Sequence, residues 1–306
     1  MPFVAVDLYA PTPPGRWPLV EISHGICNTK SEFANWARRL ASRGFVVEVA
    51  TRRLAPEATL LHDAGVTRPE KVPVWGTASG TCADVNERVG AEDLLRLLRW
   101  AIAQGGSRHH FLSGAVDPTR LGLVGHSLGG LWVAEATARA QVEGPHLSAS
   151  VLLDNADPGD LLLPLAGRGA ETSRQAAARF AVPTAVIASA DAETPLKCEI
   201  GGGPQCALSP TATFAALPKP LPRLGLRVLG ALHGEAEDPD NDDGRAARPS
   251  MQRLYQRYTD AWLECFLQHD PTAGAYLNAT VSDADTATHK ISIFAGAPRH
   301  AGRGAC

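Results

Sequence analysis

The segment Leu121–Gly130, reading Leu-Gly-Leu-Val-Gly-His-Ser-Leu-Gly-Gly, constrains this chain more than any other stretch. Leu121-Gly122-Leu123-Val124 is a short apolar run of the kind that forms a buried strand. Asp117-Pro118-Thr119-Arg120 ahead of it reads as a turn, and Leu131–Ala140 behind it reads as a helix. Between strand and helix stands Gly125-His126-Ser127-Leu128-Gly129. The bare Gly-x-Ser-x-Gly pattern is common by chance, so its context decides. A serine on a sharp strand-to-helix turn has its hydroxyl presented at the sheet edge, and flanking glycines let neighbouring backbone approach. The helix start behind it favours developing negative charge. Ser127 is therefore the candidate nucleophile.

The rest of the chain supplies the matching architecture. Short β-rich runs occur at Phe3–Leu8, Leu19–Ser23, Phe45–Val49, Leu121–Val124, Ala149–Leu153, Thr184–Ala188 and Leu226–Leu229. Helical spacing fills the intervals, as in Phe33, Trp36, Ala37 and Leu40, or Leu94, Leu95, Leu98 and Ile102. Met251–Leu267 repeats it with Leu254, Tyr255, Tyr258, Trp262 and Phe266. Strands alternating with helices imply an α/β fold, a mostly parallel central sheet with helices on both faces. One domain over 1–306 is expected, with its core at about 19–270 and a weakly patterned tail at 271–306. Ligands of such sheets sit beyond the C-terminal strand ends, so chemistry belongs in the loops there.

Composition excludes several partners. The formal net charge is −3 in 306 residues, which offers no basic field for nucleic acid or an anionic membrane. No apolar run approaches the roughly 18 residues of a membrane span. The start, Met1 to Asp7, lacks the basic segment of a signal peptide, so the chain is either cytoplasmic or secreted with its signal already removed. Six cysteines show neither C-x-x-C nor H-E-x-x-H spacing, so neither a zinc site nor any cofactor is expected. Cys198 and Cys206 flank a Gly-rich loop that could bring them together as a disulfide, or they are free thiols.

Partners for Ser127 follow from chain order, nucleophile then acid then histidine. His233 directly follows the apolar run Leu226–Leu232 and is the best base. His109, His110, His146, His269, His289 and His300 lie in loops, at a helix end or in the tail. Two carboxylates compete as the acid. Asp154 ends the strand after the nucleophile helix, and Asp191 follows the next strand. Asp157 is a weaker third. Leu19–Ser23 runs into His24-Gly25, placing the Ile26 N–H, with that of Leu128, to receive an oxyanion. The His24 side chain reads as a structural imidazole pinning this loop.

Together these residues resemble the α/β-hydrolase superfamily, over about Leu19 to Asp270. Pro18–Gly25 followed by Leu40–Val47 is similar to the group of chlorophyllases, platelet-activating-factor acetylhydrolases and cutinase-like polyester hydrolases. The resemblance implies a serine carboxylic-ester hydrolase working through an acyl-enzyme, either chlorophyllase-like or a general esterase. A cutinase, polyester hydrolase or lipase on the same site is the alternative. In chlorophyllases and the acetylhydrolases the acid ends the strand after the nucleophile helix, which matches Leu153–Gly159 and favours Asp154. In cutinase-like enzymes it lies one strand later, at Asp191. His233–Pro239 resembles the acidic stretch after the histidine of chlorophyllase-like bacterial esterases. Leu128 departs from the Arg of plant chlorophyllases and the Met of polyester hydrolases. A non-catalytic binding protein on this fold is the reading from another class, and the complete Ser, acid, His order speaks against it.

Other signals carry less. Glu237–Gly244 fails the EF-hand template, which counted from Asp238 has Asp243 at its sixth position and Pro249 at its twelfth, and reads as a solvated acidic turn. Arg52-Arg53 could meet an anionic substrate. Trp75, in a long loop, could line an acyl pocket.

Overall fold

A computed structural model of the chain describes residues 3–25, 28–51, 68–73, 87–156, 172–190, 210–238, 248–278 and 280–294. Among the described residues nine strands form one sheet: β1 (Phe3–Tyr9), β2 (Trp17–Ser23), β3 (Val46–Thr51), β4 (Arg68–Pro73), β5 (Val116–His126), β6 (Ala149–Leu153), β7 (Thr184–Ser189), β8 (Arg223–Val228) and β9 (Ile291–Ile293). Their order is β4-β1-β3-β2-β5-β6-β7-β8-β9. The six strands from β3 to β8 are parallel, while β1, β4 and β9 are antiparallel additions at the two edges. This is a mixed α/β architecture with a mostly parallel sheet, as the alternating pattern implies.

Alternation within each strand feeds two cores. Leu19, Leu121, Leu123, Leu152 and Val186 point to one face, against α2 (Glu87–Gly106), α3 (Leu128–Glu143), α4 (Ser173–Ala177) and α5 (Pro210–Ala216). Val20, Ile22, Val124, Val151 and Ile187 point to the other, against α1 (Ala34–Ser42), α6 (Pro249–Leu263) and α7 (Pro271–Asn278). Central strands buried on both faces explain the near-continuous apolar runs of the sequence. Each fully buried Leu, Ile or Val there contributes about 1.5–3 kcal/mol of burial free energy. After α6 the helix widens into a π-turn at Glu264–Gln268, ended by His269 in the left-handed region.

Sheet order reverses between β2 and β5. Chain leaving β2 turns one way, to β3, and chain leaving β5 turns the other, to β6. Such a switch point opens a crevice beyond the strand ends. His24 and Gly25 leave β2 there, and Ser127 leaves β5 beside them.

Two sequence readings need correction, and part of the unplaced tail can be placed. Its described residues form α7, α8 (Thr280–Ala287) and β9, which pairs antiparallel with β8. Phe294 then packs edge-on against Phe214 with ring centroids 5.7 Å apart. Asp117–Arg120 is not a separate turn. It lies inside β5, at a register irregularity beside Pro18 and Leu19, where Asp117 accepts from the Thr119 N–H at 3.0 Å. The long loop after β3 contains an edge strand, β4. Its two prolines and three charges break the apolar alternation by which a strand is read from sequence.

Cys265 is disulfide-bonded, and among the described residues no cysteine is free. Cys198 and Cys206 lie outside the described residues, as do Arg52, Arg53 and Trp75. No helix among the described residues is long and apolar enough to cross a membrane.

Candidate active site

Ser127 occupies the N-cap position of α3, with φ 54° and ψ −121°. A serine N-cap normally has extended backbone and turns its hydroxyl back onto the helix N–H groups. Here the positive φ rotates the side chain away, and no side-chain capping bond forms. Backbone bonds pin the strained turn from β6. The Ser127 N–H donates to Leu153 O at 3.0 Å, and Ser127 O accepts from Gly130, Leu131 and Ala156. Such a conformation costs about 1–3 kcal/mol and persists only where neighbours over-determine it.

The glycines are required by close approach. A Cβ on Gly125 would stand 2.4 Å from Gly129 O, and one on Gly129 would stand 2.3 Å from the carbonyls of Ser23 and His24. The β2 exit, the β5 exit and the start of α3 thus meet at backbone distance. Leu128 opens α3, so its N–H is among those the helix leaves without an internal acceptor. Ile26 lies outside the described residues. His24 is buried, and its Nδ1 donates to Gly25 O at 2.8 Å, which ties the β2 exit to itself.

Asp154 follows β6 with φ 44° and is fully buried. Its Oδ1 accepts from the Ser189 N–H and, at 2.9 Å, from the Ser189 hydroxyl. Its Oδ2 accepts from the Tyr255 hydroxyl at 3.0 Å and lies 3.8 Å from His233 Nδ1. Burial pushes the Asp154 carboxyl up to about 6; nearby His126, Ser189 and Tyr255 oppose the rise. Asp191 and Asp157 lie outside the described residues. Ser189, two positions before Asp191, is the residue that donates to Asp154.

His233 begins a 3-10 turn, His233–Ala236, with four residues between it and the end of β8. Glu235 secures that turn: its Oε2 accepts the Leu232 N–H at 2.8 Å, and Arg248 reaches both carboxylate oxygens. Burial would raise the Glu235 carboxyl, but the Arg248 guanidinium and the Leu232 N–H bring it below its usual value. The His233 ring lies 4.6 Å, centroid to centroid, from that of His126, at an interplanar angle of 31°. The competing histidines sit elsewhere. His110 packs on Trp100 and Phe111, while His269 and His289 are left-handed residues ending helical segments.

Five contributors escaped the sequence reading. Tyr255 read as one of an apolar helical stripe, yet its hydroxyl reaches the acid. Ser189 read as a strand end. His126 filled an unspecified position of the pentapeptide. Its nearness to Ser127 in sequence was visible, but its partner 111 residues on was not. That partner, Glu237, and its neighbour Asp238 read as a solvated acidic turn; both are buried and bonded to the protein. Asp238 accepts from the Asn35 N–H at the start of α1 and from Gln252 on α6.

His126, Asp154 and His233 place one ligand atom each within 4.8 Å of one another, a geometry that could also hold a cation. Protein donors already occupy much of it: Ser189 and Tyr255 on Asp154, and the His126 ring nitrogens face Glu237 and His233 O. No protein-family model matches the chain, and no curated protein matches it.

Proposed function

We propose that this protein is a serine carboxylic-ester hydrolase of α/β-hydrolase fold, with Ser127, His233 and Asp154 as its triad. The observation that carries the reading is the Ser127 backbone. A non-glycine residue at φ 54° sits between a buried strand and a helix, and its hydroxyl is withheld from the capping bond that serine ordinarily makes. Asp154 and His233 converge on the neighbouring strand end with 3.8 Å between them.

In this reading Ser127 Oγ attacks the ester carbonyl while His233 Nε2 takes its proton. The oxyanion receives the N–H of Leu128, at the positive end of α3, together with that of Ile26. Asp154 holds the His233 tautomer and stabilises the imidazolium. His233 then protonates the leaving alcohol, and water deacylates Ser127 by the same route. The 3.8 Å gap is loose for a hydrogen bond, and closes as positive charge develops on the ring. Leu232, an exposed large apolar side chain adjoining His233, offers an apolar wall to an acyl or alcohol group.

The test is a chain-length series of nitrophenyl esters, run beside a polyester film and chlorophyll, with Ser127→Ala as control. Turnover of short esters that disappears in a folded Ser127→Ala protein supports the reading. Turnover retained by that variant, or none in the wild type, removes it.

A further inference from the structure

We propose that His126 is a positioning residue, a buried imidazolium that clamps the main-chain carbonyl of His233 and is held in its charged form by Glu237. The inference rests on the triad reading above and adds to it a second, non-reacting histidine.

The geometry is specific. His126 Nε2 lies 3.0 Å from His233 O. A carbonyl only accepts, so Nε2 carries a hydrogen. His126 Nδ1 lies 3.0 Å from Glu237 Oε1. That contact lies off the line of a hydrogen bond and acts through charge: a carboxylate oxygen this close to a buried ring nitrogen favours the protonated ring over a bare lone pair. With the proton on the ring, His126 is a cation beside a carboxylate. Both side chains are buried, where an ion pair is screened least.

Glu237 and its neighbour Asp238 are in turn held from three segments. Asn28, after β2, donates its amide to Glu237 Oε1. Gln252 of α6 donates to Glu237 O at 2.7 Å and to Asp238 Oδ1 at 2.9 Å. Asp238 Oδ2 accepts the Asn35 N–H of α1 at 2.7 Å. The clamp therefore joins the nucleophile strand, through His126, to the turn that carries His233, and anchors both to α1 and α6. The neighbouring rings of His126 and His233 add a packing contact.

The charges facing His126 are Glu237 and Asp154, with His233 in ring contact and Glu32 behind Glu237. Burial alone would disfavour a protonated His126. Its net direction is upward, because Glu237, then Asp154 and the His233 carbonyl, favour the cation. The same cation favours ionised Asp154. Without the clamp, the His233 turn would keep Glu235, Arg248 and the Trp36 bond to Ala236 O but lose its tie to the nucleophile strand. A displacement of about 1 Å at a reacting group is enough to cost on the order of 100-fold in rate.

Three measurements on the full chain test this. Imidazole nitrogen-15 spectra of the wild type, assigned by comparison with His126→Asn, should show both His126 nitrogens protonated from pH 6 to 8. A neutral His126 there would overturn the proposal whatever the Glu237 variants do. Glu237→Gln should lose roughly 10- to 100-fold in kcat, with KM within about twofold, and Glu237→Asp should regain a substantial part. A kcat within twofold of wild type in folded Glu237→Gln, or no recovery in Glu237→Asp, would also overturn it. Labelling of Ser127 in the wild type by a fluorophosphonate separates the two claims. A protein that fails to label refutes the triad reading, whereas one that labels but ignores Glu237→Gln refutes only the clamp.

Discussion

The Tyr255 hydroxyl and the Asp154 carboxylate form a hydrogen bond of 3.0 Å through the core of the molecule, and the oxygen that accepts it is the one nearest His233. Tyr255 stands on α6, fully buried among apolar side chains. Its single polar atom thus links the packing of α6 to the orientation of the proposed acid. Tyr255→Phe keeps the ring and removes the bond. We expect a stability loss of about 1.5–3 kcal/mol in denaturant titration, the usual range for a hydrogen bond to a charged group. With one donor fewer, Asp154 should become harder to ionise, and kcat should fall several-fold with little change in KM. An unchanged kcat would mean that Ser189 alone orients the carboxylate.

Asp154→Asn separates activity from stability. Turnover should drop by roughly four decades, since an amide cannot hold the His233 tautomer or stabilise its cation. Stability should move the other way. The wild-type carboxyl sits at about 6 when folded, above its ordinary value of 3.8, so the folded state binds the extra proton between those pH values. Wild-type stability therefore falls as pH rises through that window, and the full cost is present above it. The Asn side chain does not titrate. The melting temperature of Asp154→Asn relative to wild type should thus climb by roughly a few degrees between pH 4 and pH 7. A difference that stays constant or shrinks with pH would show that the carboxyl is not raised.

Two substitutions at Ser127 read the backbone strain directly. Ser127→Ala and Ser127→Gly should both abolish ester turnover. At φ 54° and ψ −121°, only glycine is free of the Cβ penalty. Ser127→Gly should therefore be more stable than Ser127→Ala by about 1 kcal/mol in denaturant titration, despite the greater flexibility of its unfolded chain. Equal stabilities would indicate that the turn is relaxed.

The pattern of strands and helices was legible because central strands buried on both faces must be apolar throughout, and helices facing them must repeat at 3.6 residues. Edge elements obey neither rule. β4 carries two prolines and three charges, and β9, although Ile291 is buried in the core, is only three residues long, so neither shows a sustained apolar pattern. The pentapeptide marked Ser127, and chain order marked His233 and left Asp154 in competition with Asp191. What no local pattern contained was the wiring between distant segments. His126 meets Glu237 and Tyr255 meets Asp154 only because the ends of β5 and β6, the turn that carries His233 and the middle of α6 come together, and each of those residues has an ordinary local reading in a strand, turn or stripe.

Glycine substitutions around the site should differ sharply in effect, and the contrast tests the packing that presents Ser127. Gly125 ends the apolar run of β5, and a Cβ there would stand 2.4 Å from Gly129 O, 2.7 Å from Gly129 C and 2.7 Å from Val133 Cγ2. Two of those atoms are backbone of the first turn of α3, so they cannot rotate aside. Accommodating a methyl requires the helix start to move off the strand end, and the Leu128 N–H moves with it. Gly125→Ala should cost at least about 1–3 kcal/mol as an overpacked site. It should also reduce kcat by more than tenfold in whatever fraction folds. Gly234 adjoins His233 and would seem as sensitive, yet a Cβ there meets nothing within 4 Å, and its φ lies outside the region that requires glycine. Gly234→Ala should therefore stay within about 0.5 kcal/mol of wild type, as for ordinary open positions. Urea unfolding of the two variants, with ester kinetics on the folded protein, decides the matter. A tolerated Gly125→Ala would show that α3 does not pack this closely on β5.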